Sequence, residues 1–344
     1  KIGNIDEASK MYEESLIIAR EIEDRRVEAC VLSSQGDFAR HQGNTGAAEK
    51  LHNQSLDISY DIGYFQRISS NLGSLAGIAM RKGDLNRAEE LLEQSLEISR
   101  ENHNRRGEAN DLADLGLLER RRGNWEKSEK LYDKSLAINR DIGDISGIVA
   151  CLGSKGFIAR QRGQTKLAKK LYIQCLKMNR SAGDRRGEAV ALSELARIES
   201  DSGNYDKAEK MNREVLEIND SLGHKRGMAH ALANLGFIAS KNKDFVTANS
   251  MYSDCLLLNR QMQDARGLST TLHRLGALAL SQGDYVSSEK YYIECMEINR
   301  EVGDHKGESM ALGKLVKISR DQGHNDLARK YEDERKKAWK KSQG

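Results

Sequence analysis

From Ala109 onward, apolar residues fall at Leu112, Leu115 and Leu118, and again at Leu131, Tyr132, Leu136 and Ile138. Steps of three and four residues put these side chains on one face of an α-helix, so the stretch predicts two amphipathic helices. Between them stands Gly123-Asn124. Glycine there can take the positive φ that follows a helix, and asparagine can cap the next helix through its side-chain oxygen. Other units read Gly-Asn or Gly-Asp at the same place, from Gly3-Asn4 to Gly283-Asp284. Each predicts a stop followed by a start.

The pattern has a period. "NHNRRGEA" at 102–109 returns as "NRSAGDRRGEA" at 179–189, "LGHKRGMA" at 222–229 and "VGDHKGES" at 302–309, in step with a 40-residue repeat. Of the 30 glycines, 24 fall in four registers of this repeat. One register, at Gly36, Gly116, Gly156, Gly236 and Gly276, lies in mid-helix, where glycine costs roughly 1 kcal/mol of helix propensity. Close approach of the paired helix is the expected reason. Another, which runs through Gly83 and Gly123, breaks at Lys243, predicting a weaker joint there by roughly 1 kcal/mol. The arginines of "NRSAGDRRGEA" invite comparison with a phosphate-gripping loop, but no strand precedes it, and the 40-residue recurrence makes it a joint between helices.

Leu112-x-x-Leu115-Gly116, then Gly123-Asn124, then Ser128 (alanine at Ala48, Ala88, Ala168, Ala208 and Ala248), then Tyr132 and Leu136, resembles the tetratricopeptide repeat (TPR) over essentially the whole chain. The common unit has about 34 residues. The longer unit here is similar to that of the Leu-Gly-Asn polarity adaptors and of sensor arrays in bacterial signalling ATPases. The resemblance implies an all-α fold: a helix-turn-helix solenoid forming a right-handed superhelix of about eight 40-residue repeats. Three features depart from the family pattern, the first being alanine at Ala79, Ala159, Ala239 and Ala279, where the family often has an aromatic. Proline is absent throughout, and the adaptors' asparagine after the mid-helix glycine is replaced, for example by Leu117, Phe157 and Phe237, so their ligand specificity does not carry over. The expected domains are an array over residues 1–324, which starts in mid-repeat and suggests an upstream domain, and a polar capping helix over 325–344 with Glu332, Arg335 and Lys336 at positions otherwise apolar.

Composition adds exclusions. Net charge is +3, too balanced to argue for nucleic acid or a membrane from the total alone. No apolar run is long enough to span a bilayer, and the five cysteines are scattered without Cys-x-x-Cys spacing, so a cytoplasmic, reducing setting is expected. Cys175, Cys255 and Cys295 recur where Ser95 and Ser135 stand, and read as small core residues. No phosphate-loop, Gly-x-Ser-x-Gly or His-Glu-x-x-His motif occurs, so no catalytic residue, metal or cofactor is assigned and the chain is not expected to be an enzyme. His230 and His273 lie on neighbouring first helices and could face each other, but two histidines lack the further ligands a metal needs.

The remaining signal is charge. The resemblance implies that first helices line a concave face. The registers equivalent to Asn110, Ala113, Asp114, Leu117, Arg120 and Arg121 hold eleven basic residues against five acidic ones. A basic groove favours an acidic partner, and arginine offers carboxylates two-point contacts. The expected groove residues are Leu117, Arg120, Arg121, Phe157, Arg160, Arg197, His230, Phe237, Lys241, His273 and Arg274, with Phe157, Phe237 and Leu117 as anchors or as packing between first helices. Lys155 and Gln35 replace the leucine of Leu115, a place where a long side chain can snorkel. The predicted function is a scaffold that binds a peptide or protein segment, acidic with apolar anchors. The alternative is the sensor or regulatory arm of a larger signalling ATPase or transcription regulator. Nucleic acid in the groove is disfavoured because few aromatic platforms interleave with the arginines.

Overall fold

A computed structural model of the chain describes the backbone of residues 2–343 and the side chains of residues 6–343. Among the described residues there are seventeen α-helices and no strand: α1 (Ile2–Glu21), α2 (Arg25–His41), α3 (Thr45–Asp61), α4 (Phe65–Lys82), α5 (Leu85–Glu101), α6 (Arg105–Arg122), α7 (Trp125–Asp141), α8 (Ile145–Gln161), α9 (Thr165–Ala182), α10 (Arg185–Asp201), α11 (Tyr205–Ser221), α12 (Lys225–Lys241), α13 (Phe245–Met262), α14 (Ala265–Ser281), α15 (Tyr285–Glu301), α16 (His305–Asp321) and α17 (Asn325–Lys341). The even-numbered helices are the first helices of the repeats. The chain divides into two compact units, Lys1–Met178 and Asn179–Gly344.

In the first unit consecutive helices from α1 to α8 pack on one another, and the first helices also touch in series, α2 on α4, α4 on α6 and α6 on α8. Its core gathers Ile68, Leu72, Leu92, Leu112 and Leu118, all nearly inaccessible to solvent. In the second unit consecutive helices from α10 to α17 pack in the same way, around Leu272, Leu275, Tyr292, Leu312 and Leu315. Burial of each such side chain contributes roughly 1.5–3 kcal/mol.

The joints take the form the repeat predicts. Gly83 and Gly123 adopt φ of +86° and +82° and close the helices before them. Lys243 adopts the same left-handed conformation with φ +60°, and so do Glu23, His103 and Gln263, which stand in the register of Gly63 and Gly183. Position in the repeat, not the residue present, dictates the turn. Two expectations need correction. Gly3-Asn4 lies inside α1. Asn124 makes no side-chain cap; its amide donates to Glu119 Oε2 at 2.7 Å instead. The Glu119 carboxylate is buried, and the donors Asn124, Arg122 and Lys127 converge on it. Burial alone would raise its pKa, but these hydrogen bonds and charges together lower it.

Two of the three arginines in the joint at 179–189, Arg180 and Arg185, are paired with a carboxylate within the joint. Asp184 Oδ1 accepts the Gly187 amide at 2.9 Å, and the buried Glu188 is held by Arg180 Nε at 2.6 Å and by Arg185. A Cβ on Gly187 would lie 2.7 Å from the side chain of the buried Asn179. Asn139, Asn219, Asn259 and Asn299 stand against Gly147, Gly227, Gly267 and Gly307 in the same way, a pairing at eight residues that the hydrophobic pattern does not reveal.

A second recurrent contact ties second helices to first helices. Ser55 and Ser135 donate to the carbonyls of Ala29 and Ala109, at 2.6 and 2.7 Å. Cys255 and Cys295 place their thiols against the equivalent carbonyls of Ala229 and Ser269, at 3.2 and 3.4 Å. The cysteines are therefore buried serine substitutes, as their register implies, and burial pushes the Cys175 thiol up to about 11. Lys155 snorkels to an ion pair with Asp133.

Candidate interaction surfaces on the first helices

On α6 the residues Asn110, Asp114, Leu117 and Arg121 follow one another at helical spacing and line one side of an open cleft of about 840 Å³ in the first unit. The α4 side of that cleft is small: Ser70, Gly73, Ser74 and Gly77. Arg40, Arg81 and Arg121 line it from the last turns of α2, α4 and α6. Leu117 also packs against the hydrophobic core, so its role includes packing between first helices. Arg121 Nη1 donates to the Met80 carbonyl at 2.9 Å, which ties α6 to α4.

The acidic wall of the cleft is Asp111 and Asp114. Asp111 is buried and accepts hydrogen bonds from Ser95 and Ser99 at 2.7 and 2.8 Å. Burial pushes its carboxyl up to about 6 against those two bonds, and pushes Asp114 up to about 7 with the help of the Asp111 charge. The apolar pattern gives no sign of Asp111, which occupies a core-facing position. Its signal is Asn71, one repeat earlier, another polar residue in the buried register.

Further along the first unit, Phe157 carries the Arg120 guanidinium at 4.5 Å from its ring centroid and that of Arg160 at 5.5 Å. Three of the predicted residues thus meet in one stack. Cation–π contacts at exposed sites contribute about 0.5–1 kcal/mol and hold both arginines in place.

In the second unit Arg197, His230, Phe237 and Arg274 line a separate cleft of about 680 Å³ together with Arg186 and Arg226. Phe237 is 37 % exposed, with Lys241 Nζ at 5.3 Å from its ring centroid. Arg274 resembles Arg121 in its use: its Nη1 donates to the Ala233 carbonyl at 2.6 Å. His273 does not join His230. It packs edge-on against Tyr292, with centroids 5.3 Å apart, and faces a different cleft beside Met310, Lys314 and Trp339. The two histidines are more than a helix length apart in sequence and sit in non-equivalent registers, which sends them to different walls. Among the described residues no group of three or more His, Cys, Asp or Glu side chains could hold a metal ion, and no helix is long and apolar enough to cross a membrane.

Helix-pair arrays of this kind have many structural counterparts. The chain is similar in fold to a signal transduction ATPase with numerous domains that carries a tetratricopeptide repeat sensor, from Pyrococcus horikoshii, with 15% identity and a TM-score of 0.68 over 95% of this chain and 52% of that one. It is also similar to the apo form of the quorum sensor NprR from B. thuringiensis, with 12% identity and a TM-score of 0.66 over 98% of each chain. A Rap protein in complex with Competence and Sporulation Factor matches with 14% identity and a TM-score of 0.62, over 98% of this chain and 94% of that one. At these identities the likeness is one of fold. No curated protein matches the chain by sequence. The family described as tetratricopeptide repeat matches residues 1–61, 67–141, 149–221 and 267–341, in step with the helix pairs and their joints. The chain therefore belongs to the tetratricopeptide repeat family.

Proposed function

We propose that the protein is a non-enzymatic binding module whose first-helix faces take a segment of another protein, acidic and carrying apolar anchors. The observation that carries the reading is Phe237: a half-exposed ring beside Lys241, on a cleft bordered by Arg186, Arg197 and Arg226. An apolar anchor seated on that ring excludes water from the surrounding guanidinium contacts, which strengthens them. Arg120 and Arg160 around Phe157 repeat the combination in the first unit.

A glutamate-rich peptide with one central phenylalanine, fluorescently labelled, tests this by anisotropy. Arg197→Glu with Lys241→Glu in the second unit, and Arg120→Glu in the first, are expected to weaken binding at least tenfold with little change in melting temperature. Unchanged affinity in all variants overturns the reading. A second reading, a regulatory arm of a larger signalling protein, is favoured by the likeness to the Pyrococcus horikoshii protein, of which this chain matches about half. The coding sequence upstream of Lys1 decides it: a nucleotide-binding domain supports the arm, and further repeats oppose it.

A further inference from the structure

The cleft of the first unit has two chemically different ends. At one end three guanidinium groups converge. Arg40, Arg81 and Arg121 line the cleft together, and burial and then the charges of Arg40 and Arg121 hold Arg81 below the usual guanidinium range. Arg40 is steadied by Asp37 at 3.0 Å and Arg121 by the Met80 carbonyl at 2.9 Å. Arg40 Nε is nonetheless buried with no hydrogen-bond partner. Asp37 is not part of the cleft wall; the two carboxylates that are, Asp111 and Asp114, stand toward the other end, where Arg106 also lines the cleft with its Nε 3.2 Å from Asp144 Oδ2. Asp114 and Arg121 are seven residues apart on one face of α6, roughly 10 Å along its axis.

The space between the ends is kept open by α4. A Cβ added at Gly73 or Gly77 would meet nothing within 4 Å. The equivalent positions on α6 are Ala113 and Leu117, so α4 leaves room that the side chains of α6 would fill. It can admit a backbone together with its side chains.

Three planar guanidinium forks suit a tetrahedral dianion with three acceptor oxygens better than a single carboxylate, which one fork satisfies. An extended chain advances about 3.3 Å per residue, so a span of about 10 Å separates side chains three residues apart. We propose that this cleft binds an extended segment of a partner protein bearing a phosphorylated side chain, which Arg40, Arg81 and Arg121 receive, and a lysine or arginine three residues away, which Asp114 receives. The inference rests on the peptide-binding reading above and names a specificity that the reading lacks.

The test uses labelled peptides of sequence Gly-phosphoSer-Ala-Ala-Lys-Gly and its reversed order, titrated with the whole chain at 0.15 M salt. One order is expected to bind, with at least tenfold loss when phosphoserine becomes serine and at least tenfold loss when lysine becomes glutamate. Arg81→Ala is expected to remove the preference for phosphoserine without changing the melting temperature. Asp114→Lys is expected to reverse the preference, so that the glutamate peptide binds better than the lysine peptide, an outcome that loss of folding cannot produce. Equal binding of serine and phosphoserine peptides overturns the proposal. So does inorganic phosphate that binds as tightly as the peptide, because the lysine then contributes nothing. If neither order binds while the glutamate-rich peptide still binds, this proposal fails and the broader reading stands; if no peptide of either kind binds, both fail.

Discussion

Gly236 lies so close to the ring of Tyr252 that a Cβ at the glycine would stand 2.7 Å from the ring's Cδ1 and Cε1. Tyr132, Tyr172 and Tyr292 press on Gly116, Gly156 and Gly276 in the same way. The mid-helix glycine is thus the seat of the next helix's tyrosine. Gly236→Ala is expected to destabilise the chain by about 1–3 kcal/mol through overpacking, less the gain in helix propensity. Gly153→Ala, at a helical glycine with nothing within 4 Å, is expected to stabilise it by up to about 1 kcal/mol. Urea unfolding of the two variants checks the contrast, and equal effects would refute the packing role.

Lys243 carries its side chain at φ +60°, in a register where glycine is the rule. A left-handed non-glycine residue is strained, so Lys243→Gly is expected to stabilise the second unit by about 1 kcal/mol, offset in part by the greater freedom of glycine in the unfolded chain. Hydrogen exchange at the α12–α13 joint should slow; faster exchange would contradict the assignment of strain.

Asp111 occupies the position held one repeat earlier by Asn71, whose amide donates to Ser55 Oγ at 2.8 Å. The aspartate is pushed up to about 6 in the folded chain, mainly by burial, against about 4 when unfolded. Between those values the folded state holds the extra proton, so the stability this group contributes is present below about pH 4 and lost as pH rises through 6. Asp111→Asn lacks that loss. The variant is expected to gain stability over the parent between pH 4.5 and 7.5, and a difference that is flat with pH would rule out the protonated carboxyl.

His52 fills the tyrosine position of its repeat, fully buried against Gly36, with Nε2 3.9 Å from Asp37. Burial lowers its pKa below 6.5 despite the hydrogen bond with Asn71. The unfolded chain then takes up the proton first, so stability present above about pH 6.5 is lost as pH falls toward the folded value. Replacement by the tyrosine that stands in this register at Tyr132, Tyr172, Tyr252 and Tyr292, His52→Tyr, should remove this acid weakness. Thermal unfolding at pH 7 and pH 5.5 measures it; an advantage that does not grow on acidification would sink the explanation.

Four of the five cysteines are buried, and Cys30 alone is half-exposed. Thiol reactivity follows access and thiolate formation. Iodoacetamide under native conditions is therefore expected to modify Cys30 first, with Cys175, Cys255 and Cys295 reacting only at the rate of unfolding. Peptide mapping after a short exposure checks the order.

The period, the two helices per repeat and the joints are legible in the sequence because each depends on local chemistry. Apolar spacing of three and four defines a helix face, and a glycine that can turn left-handed ends it. The 40-residue register even locates turns where glycine is missing, at Lys243 and, by the same logic, at Glu23, His103 and Gln263. The residues expected to line a groove are legible only as a set of positions off the apolar stripe of first helices. Their partners are not, since a contact such as Arg121 with Met80, or Arg274 with Ala233, joins residues a full repeat apart.

What the sequence by itself determined is the repeated unit: where helices begin, which faces are apolar, and where the chain turns. What only the tertiary structure decided is how charges on successive helices meet. The approach of α2, α4 and α6 gathers Arg40, Arg81 and Arg121 along one cleft with Asp114 and with Asp111, which it buries. Local spacing fixes the direction of a side chain on its own helix, but the field it experiences is set by interhelical distance and burial, which arise only when the repeats stack.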